Sequence, residues 1–189
     1  MKKIAIKSML GAGLLCAAAA SQAMPFVVDA YANSSSGGTG ANTVNLLAGQ
    51  SFSVSVAPTD LWNAGALPRW SNADGLTGNL FATGSDDSGQ PVGTKIGQNF
   101  GLWTQGTLSA AYGTLVGQIG GGSFFAIGSS YSGVAASAGT LKLFYWDSNY
   151  GDNTEHITAN VTAVPEPETY AMLLAGLMAV GFVARRRRA

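Results

Sequence analysis

Residues 24–163 predict an all-β ectodomain, an antiparallel β-sandwich or jelly roll, flanked by an N-terminal signal helix and a C-terminal transmembrane helix. Three observations predict it. Ser51 to Ala57 alternates Phe52, Val54 and Val56 with serines, and Glu155 to Val164 alternates Ile157, Ala159, Val161 and Ala163 with His156, Thr158, Asn160 and Thr162. A period of two buries one face of a strand and wets the other. Glycine-rich punctuation recurs between such runs, as short antiparallel strands joined by tight turns require. No stretch of the ectodomain repeats its apolar residues at helical spacing.

The N-terminus reads as an export signal. Lys2, Lys3 and Lys7 accompany an apolar run from Ile4 to Ala20, and Ser21-Gln22-Ala23 is a small-x-small cleavage site. Residues 1–23 are therefore expected to pass through the Sec machinery and to be cut after Ala23. A lipoprotein reading at Cys16 is disfavoured, because Leu15 stands where a small residue belongs. Loss of the signal removes Cys16, the only cysteine, and with it any disulfide, thiol nucleophile or cysteine metal site.

Along the ectodomain, Met24 to Tyr31 reads as a first short strand and Ala32 to Ala41 as a polar loop. Gly37-Gly38-Thr39-Gly40 in that loop lacks the lysine and helix of a phosphate loop. Strands begin near Thr43, and Ser51 to Ala57 is bounded by Gly49-Gln50 and Pro58. Pro58 to Gly106, with Trp62, Trp70 and Trp103, reads as long loops with short strands. Thr114 to Ile119 and Ser123 to Ile127 are joined through Gly120-Gly121-Gly122 like a hairpin. Gly128 to Gly139 reads as loose polar chain. Thr140 to Trp146 and Glu155 to Val164 close the domain.

The formal net charge is zero, but seven of the ten basic residues lie in the two flanks. Between Met24 and Val164, Arg69, Lys95 and Lys142 face eight carboxylates, which leaves −5. Nucleic acid is excluded as a partner, because phosphate binding needs a basic face. A cation suits this surface better. Catalysis is not expected either. The single histidine, His156, falls on the wet face of its strand, and no Gly-x-Ser-x-Gly elbow occurs. Carboxylates such as Asp86 and Asp87 sit in Gly/Ser loops and read as solvated.

Trp146 to Glu155 packs Asp147, Asn149, Asp152, Asn153 and Glu155 into one turn. Two readings of it stand. Asp and Asn cap their own backbone in a polar hairpin turn. The same hard oxygens also suit Ca²⁺, which takes six to eight of them in irregular geometry. It is not an EF-hand, since glycine and glutamate fall at the wrong positions and strands flank it.

Gly113 to Val161 resembles the bacterial PA-I-type galactophilic lectin domain, a small jelly roll related to galactose-binding domains. The shared pattern is Gly113 to Gly120, Phe124-Phe125, Gly139 to Leu143, and Asp147 with Tyr150-Gly151-Asp152-Asn153. The resemblance implies a Ca²⁺ loop with Asp147, Asp152 and Asn153 as ligands and the carbonyl of an upstream aromatic, Trp62, beside them. It also implies that sugar hydroxyls complete the shell. This loop is about two residues shorter than the lectin's and lacks its threonine ligand. The lectin's sugar-contacting His and Gln have no match, and Trp70, Asn72 and Asp74 stand in that stretch instead.

At the C-terminus, Pro165-Glu166-Pro167 precedes the charge-free run Tyr170 to Ala184 and then Arg185, Arg186, Arg187 and Arg188. The prolines favour an extended hinge. The apolar run spans roughly 22 Å as a helix, short of a roughly 30 Å hydrocarbon core. The arginines stop it on the cytoplasmic side. Residues 164–189 resemble the PEP-CTERM sorting signal. The resemblance implies recognition by an exosortase in the inner membrane, cleavage near Pro165 to Pro167, and delivery of the ectodomain to the cell surface or beyond. The sequence thus predicts an exported surface or matrix protein that binds exopolysaccharide or another glycan with the help of Ca²⁺. Its alternatives are a purely structural or adhesive surface module and a simple tail-anchored periplasmic protein.

Overall fold

The structure is a computed structural model that describes residues 21–164 and 167–186. The strands are β1 (Met24–Asp29), β2 (Ala41–Leu46), β3 (Ser51–Val56), β4 (Trp62–Asn63), β5 (Trp70–Ser71), β6 (Leu80–Phe81), β7 (Lys95–Gly97), β8 (Leu102–Gln105), β9 (Leu108–Ala111), β10 (Leu115–Ile119), β11 (Phe125–Ala126), β12 (Ser130–Val134), β13 (Gly139–Tyr145) and β14 (His156–Ala163). One helix, α1 (Pro167–Arg186), follows.

Two four-stranded antiparallel sheets form the body, in the orders β1-β14-β3-β12 and β11-β10-β13-β2. They share one core. Val28, Phe52, Val54, Ile157, Ala159 and Val161 come from the first sheet, and Val44, Leu46, Leu115, Leu141, Leu143 and Tyr145 from the second. Each such Val, Leu or Ile contributes about 1.5–3 kcal/mol by leaving water. The alternation in β3 and β14 is what the core uses: Phe52, Val54 and Val56 are buried, and Ser51 and Ser55 are exposed. The all-β antiparallel sandwich predicted from the sequence is therefore present.

Two segments differ from the sequence reading. Gly128 to Gly139 contains β12, which adds to the edge of β3 in register Tyr131↔Val54. Its apolar signal is weak because an edge strand faces water with Ser130, Ser132 and Val134, and Gly133 sits where an inward side chain would be. The second hairpin strand shrinks to Phe125–Ala126, although it pairs with β10 as the glycine triplet predicts. Between β3 and β10 lie three two-stranded ribbons, β4-β5, β6-β7 and β8-β9. Leu61, Trp70, Ala82 and Ile96, with half-buried Leu80, make a small core of their own under the first two.

The tail corrects two expectations. Pro167 is the first residue of α1, not part of an extended hinge. A first-turn proline lacks only an N–H that has no helical partner anyway. The helix has 20 residues, but no helix among the described residues is long and apolar enough to cross a membrane. Arg185 and Arg186 in the last turn suit the negative end of the helix dipole. Residues 1–20 of the expected signal peptide (1–23), Pro165, Glu166, Arg187 and Arg188 lie outside the described residues. Ala23 is exposed and directly precedes β1, so a cut after it leaves the first strand whole.

Candidate functional site

The loop between β13 and β14 is built from side chains that bond their own backbone. Asp147 is only 5% exposed. Its Oδ1 accepts from the N–H of Ser148 at 2.6 Å and of Asn149 at 3.3 Å. Asn149 Oδ1 accepts from Gly151 N–H at 3.2 Å, which opens a 3₁₀ turn over Tyr150–Asp152. Ser35 fastens the start of the loop: its hydroxyl donates to the Asp147 carbonyl and accepts from the Asp147 N–H, both at 3.2 Å. Tyr150 lies against Gly37, where a Cβ would come within 2.2 Å of the ring, and meets Tyr31 edge-on at 5.1 Å.

Burial pushes the Asp147 carboxyl above the usual carboxylate range. The N–H groups of Asn149 and Ser148 and the Asn153 side chain pull it back, and Asp152 adds repulsion. Asn153 is 4% exposed. Its Nδ2 donates to the Ala30 carbonyl at 3.0 Å, and its buried Oδ1 has no hydrogen-bond partner in the protein. Asp152 has a cation already: Arg69 Nη1 stands 3.5 Å from its Oδ2, and the same guanidinium lies 4.7 Å over the Phe100 ring.

Trp62 sits next to this loop but turns inward. Its neighbour Asn63 exchanges both backbone bonds with Thr154 at 3.0 Å. The Trp62 side chain is fully buried, donates to the carbonyls of Gly113 (2.9 Å) and Asn72 (3.2 Å), and meets Tyr145 edge-on at 4.5 Å. Its backbone pairs with Ser71. As donors for a hard cation, the Asp147 carboxylate and the Asn153 Oδ1 fit. Asp152 fits once released from Arg69; the Trp62 indole anchors the core, whereas the expected ligand there is its backbone carbonyl. Among the described residues, no three His, Asp or Glu side chains gather at one point.

The predicted sugar contacts divide. Trp70 and Asn72 line an open hollow of about 140 Å³ together with Ser71, Thr77, Asn79 and Leu80. Asp74 does not line it. Its Oδ1 accepts from Ser129 N–H at 2.7 Å, its carbonyl accepts from the Thr114 hydroxyl at 3.3 Å, and its N–H donates to Asn72 Oδ1 at 2.9 Å. It fastens the 72–80 loop to the second sheet. Sequence reasoning missed Ser71, Thr77 and Asn79, although the density of Ser, Thr, Asn and Gly after Trp70 is their signal. It also missed Arg69, whose signal is that basic residues are so scarce in the ectodomain. His156 is exposed, as its strand alternation predicts.

Residues 163–188 match the PEP-CTERM protein-sorting motif. A search of curated proteins gives no match. Among solved structures, the chain is similar to the "EclA N-terminal domain; PllA-like lectin", with 19% identity and a TM-score of 0.47, over 75% of this chain and 98% of that one. The C-terminal motif marks an exported protein and implies exosortase processing.

Proposed function

We propose that the protein is an exosortase-sorted surface or matrix protein whose jelly-roll sandwich binds glycan without catalysis. The C-terminal motif supports the delivery. In this reading α1 resides transiently in the inner membrane, and cleavage near Pro165 to Pro167 frees the ectodomain outside the cell. Apolar side chains of α1 such as Val180 and Phe182, about 70% exposed, suit such a residence.

The observation that carries the glycan reading is the hollow beside Trp70. It sets an aromatic wall against the Thr77 hydroxyl and the amides of Asn72 and Asn79 with no charged side chain among its lining. Binding sites for small polar ligands combine apolar walls with a few placed hydrogen-bonding groups in this way. Ca²⁺ belongs to the proposal as a stabiliser of the neighbouring loop. Asp147 and Asn153 would hold it, with Asp152 joining them, and it would neutralise the carboxylates there.

A glycan array probed with the full purified chain, with and without chelator, tests the reading. Binding of hydroxyl-rich neutral glycans that Asn79→Ala weakens supports it. A second reading is a purely structural module, favoured by the way Asp147 and Asn149 are satisfied by their own turn. No glycan binding under either condition would select it.

A further inference from the structure

The hollow beside Trp70 is not isolated. A second hollow, also of about 140 Å³, lies among Pro58, Thr59, Leu61, Phe81, Thr83 and Ser85. Leu80 lines both. The floor under the pair is continuous, because Trp70 from the first and Leu61 from the second belong to the same small core on which Leu80 packs. Leu80 thus stands between two depressions of equal volume.

The chemistry on the two sides of Leu80 matches. Each hollow joins apolar walls to neutral hydroxyl or amide groups. The one charged residue at either, Asp86, is engaged by its own loop: it accepts from the N–H and hydroxyl of Thr83 and of Ser88. Those bonds hold its carboxyl well below the usual range. Asp87 fixes the same loop to the floor by accepting from Leu61 N–H at 2.9 Å. No lysine or arginine lines either hollow. Phe81, 52% exposed, offers a ring at the edge of the second.

From this juxtaposition we infer that the site takes an uncharged glycan chain, with successive sugar rings on either side of Leu80, and not a single sugar. The inference rests on the glycan-binding reading above. A polyanion is disfavoured because nothing basic lines the hollows and the ectodomain carries −5. A single ring fills one depression and leaves the other, with the Phe81 ring, in water. A chain covers both and stacks its apolar face on Phe81, and aromatic contacts of that kind add to what area burial provides. Affinity therefore rises with chain length until both hollows are filled and then levels off.

The test is an array of neutral β-glucan, galactan and mannan oligosaccharides, from one ring to six, probed with the full chain and its Phe81→Ala and Asn79→Ala variants. Both residues are exposed, so both variants keep the core. The expected result is about tenfold tighter binding of chains than of the matching single sugar. Phe81→Ala should abolish that gain and weaken chains more than single sugars, whereas Asn79→Ala should weaken every length. Equal binding of one ring and many, a length gain that survives Phe81→Ala, or a preference for anionic glycans overturns the two-hollow site and leaves glycan binding standing. Absence of binding to every oligosaccharide overturns the glycan reading itself.

Discussion

Gln50 holds Val164. Its side-chain amide donates to the Val164 carbonyl at 3.0 Å, while the Val164 N–H donates to the Ser51 carbonyl at 2.9 Å. The β3–β14 ladder is therefore closed up to the residue before Pro165. Gln50→Ala removes two exposed bonds, the one to Val164 and the one its Oε1 accepts from Leu47 N–H at 2.9 Å, each worth about 0.5–1 kcal/mol at the low end of the usual range. Hydrogen exchange should accelerate several-fold at the Val164 amide and stay unchanged at Ile157 in the core. Equal exchange at Val164 in both proteins would show that Gln50 does not close the strand.

Gly75 and Gly49 both have positive φ, at 85° and 87°. A Cβ on Gly75 would come within 2.7 Å of the Tyr112 carbonyl and 2.9 Å of the Thr114 N, whereas one on Gly49 meets nothing within 4 Å. Alanine at either position carries the left-handed backbone cost of about 1–2 kcal/mol. Only Gly75→Ala adds an overpacking cost of about 1–3 kcal/mol, because backbone cannot step aside. Chemical denaturation should rank Gly75→Ala clearly below Gly49→Ala. Equal stability would mean that the 72–80 loop is not seated on β10 as described.

What the sequence disclosed follows from how strongly each segment is divided between core and water. Strands β3 and β14 were legible because each presents three fully inward apolar residues on one face and small polar ones on the other. β12 was not, because it lies at an edge, carries Gly133 inward and leaves Val134 in water. The anchoring role of the Trp62 indole was not legible, because an indole is equally at home as an anchor and as a site wall. Only the fold shows its N–H spent on Gly113 and Asn72. The acidic turn was legible as a cluster, but the partner of Asp152 was not. Arg69 is 83 residues away in sequence, and that pairing is tertiary. The hollow was half legible, since Trp70 and Asn72 were named, whereas the place of Leu80 between two hollows depends on ribbon β6-β7.

Asp60 gives the pH dependence a sign. Burial pushes its carboxyl up first, and Asp87 pushes it further; the Thr158 N–H, donated at 2.6 Å, and His156 pull it down. The net shift is upward from 3.8. A carboxyl with a raised folded pKa binds its proton more tightly when folded. Its contribution to stability therefore falls as pH rises from 3.8 through the folded value, and the cost is fully present above that. Asp60→Asn keeps an acceptor for Thr158 and loses the charge. The variant should melt about a degree or two higher than wild type at neutral pH, after solvent screening, and match it near pH 3. A lower melting temperature at neutral pH would contradict this.

Calcium should stabilise the β13–β14 loop if Asp147 and Asn153 hold it. A ligand that binds only the folded state at a hundredfold excess over Kd adds about 2.7 kcal/mol. At roughly 2–4 °C per kcal/mol, that is a shift of several degrees, which chelator should reverse. Asp147→Asn should lose the response, and Mg²⁺ should substitute poorly because it demands a strict octahedron. Identical melting curves in calcium and chelator would leave the loop as a polar hairpin turn with Arg69 as its cation.

The intact mass of the chain recovered outside the cell tests the sorting most directly, in cells with and without the cognate exosortase. With the enzyme, the mass should correspond to a chain that begins at Met24 and ends near Pro165 to Pro167, having lost α1 and Arg185 to Arg188. Without it, or with Pro165-Glu166-Pro167 changed to Gly-Ser-Gly, the chain should remain in the membrane fraction with its tail intact. A released chain that still carries Arg185 to Arg188, or normal release of the Gly-Ser-Gly variant, would contradict delivery through the C-terminal motif.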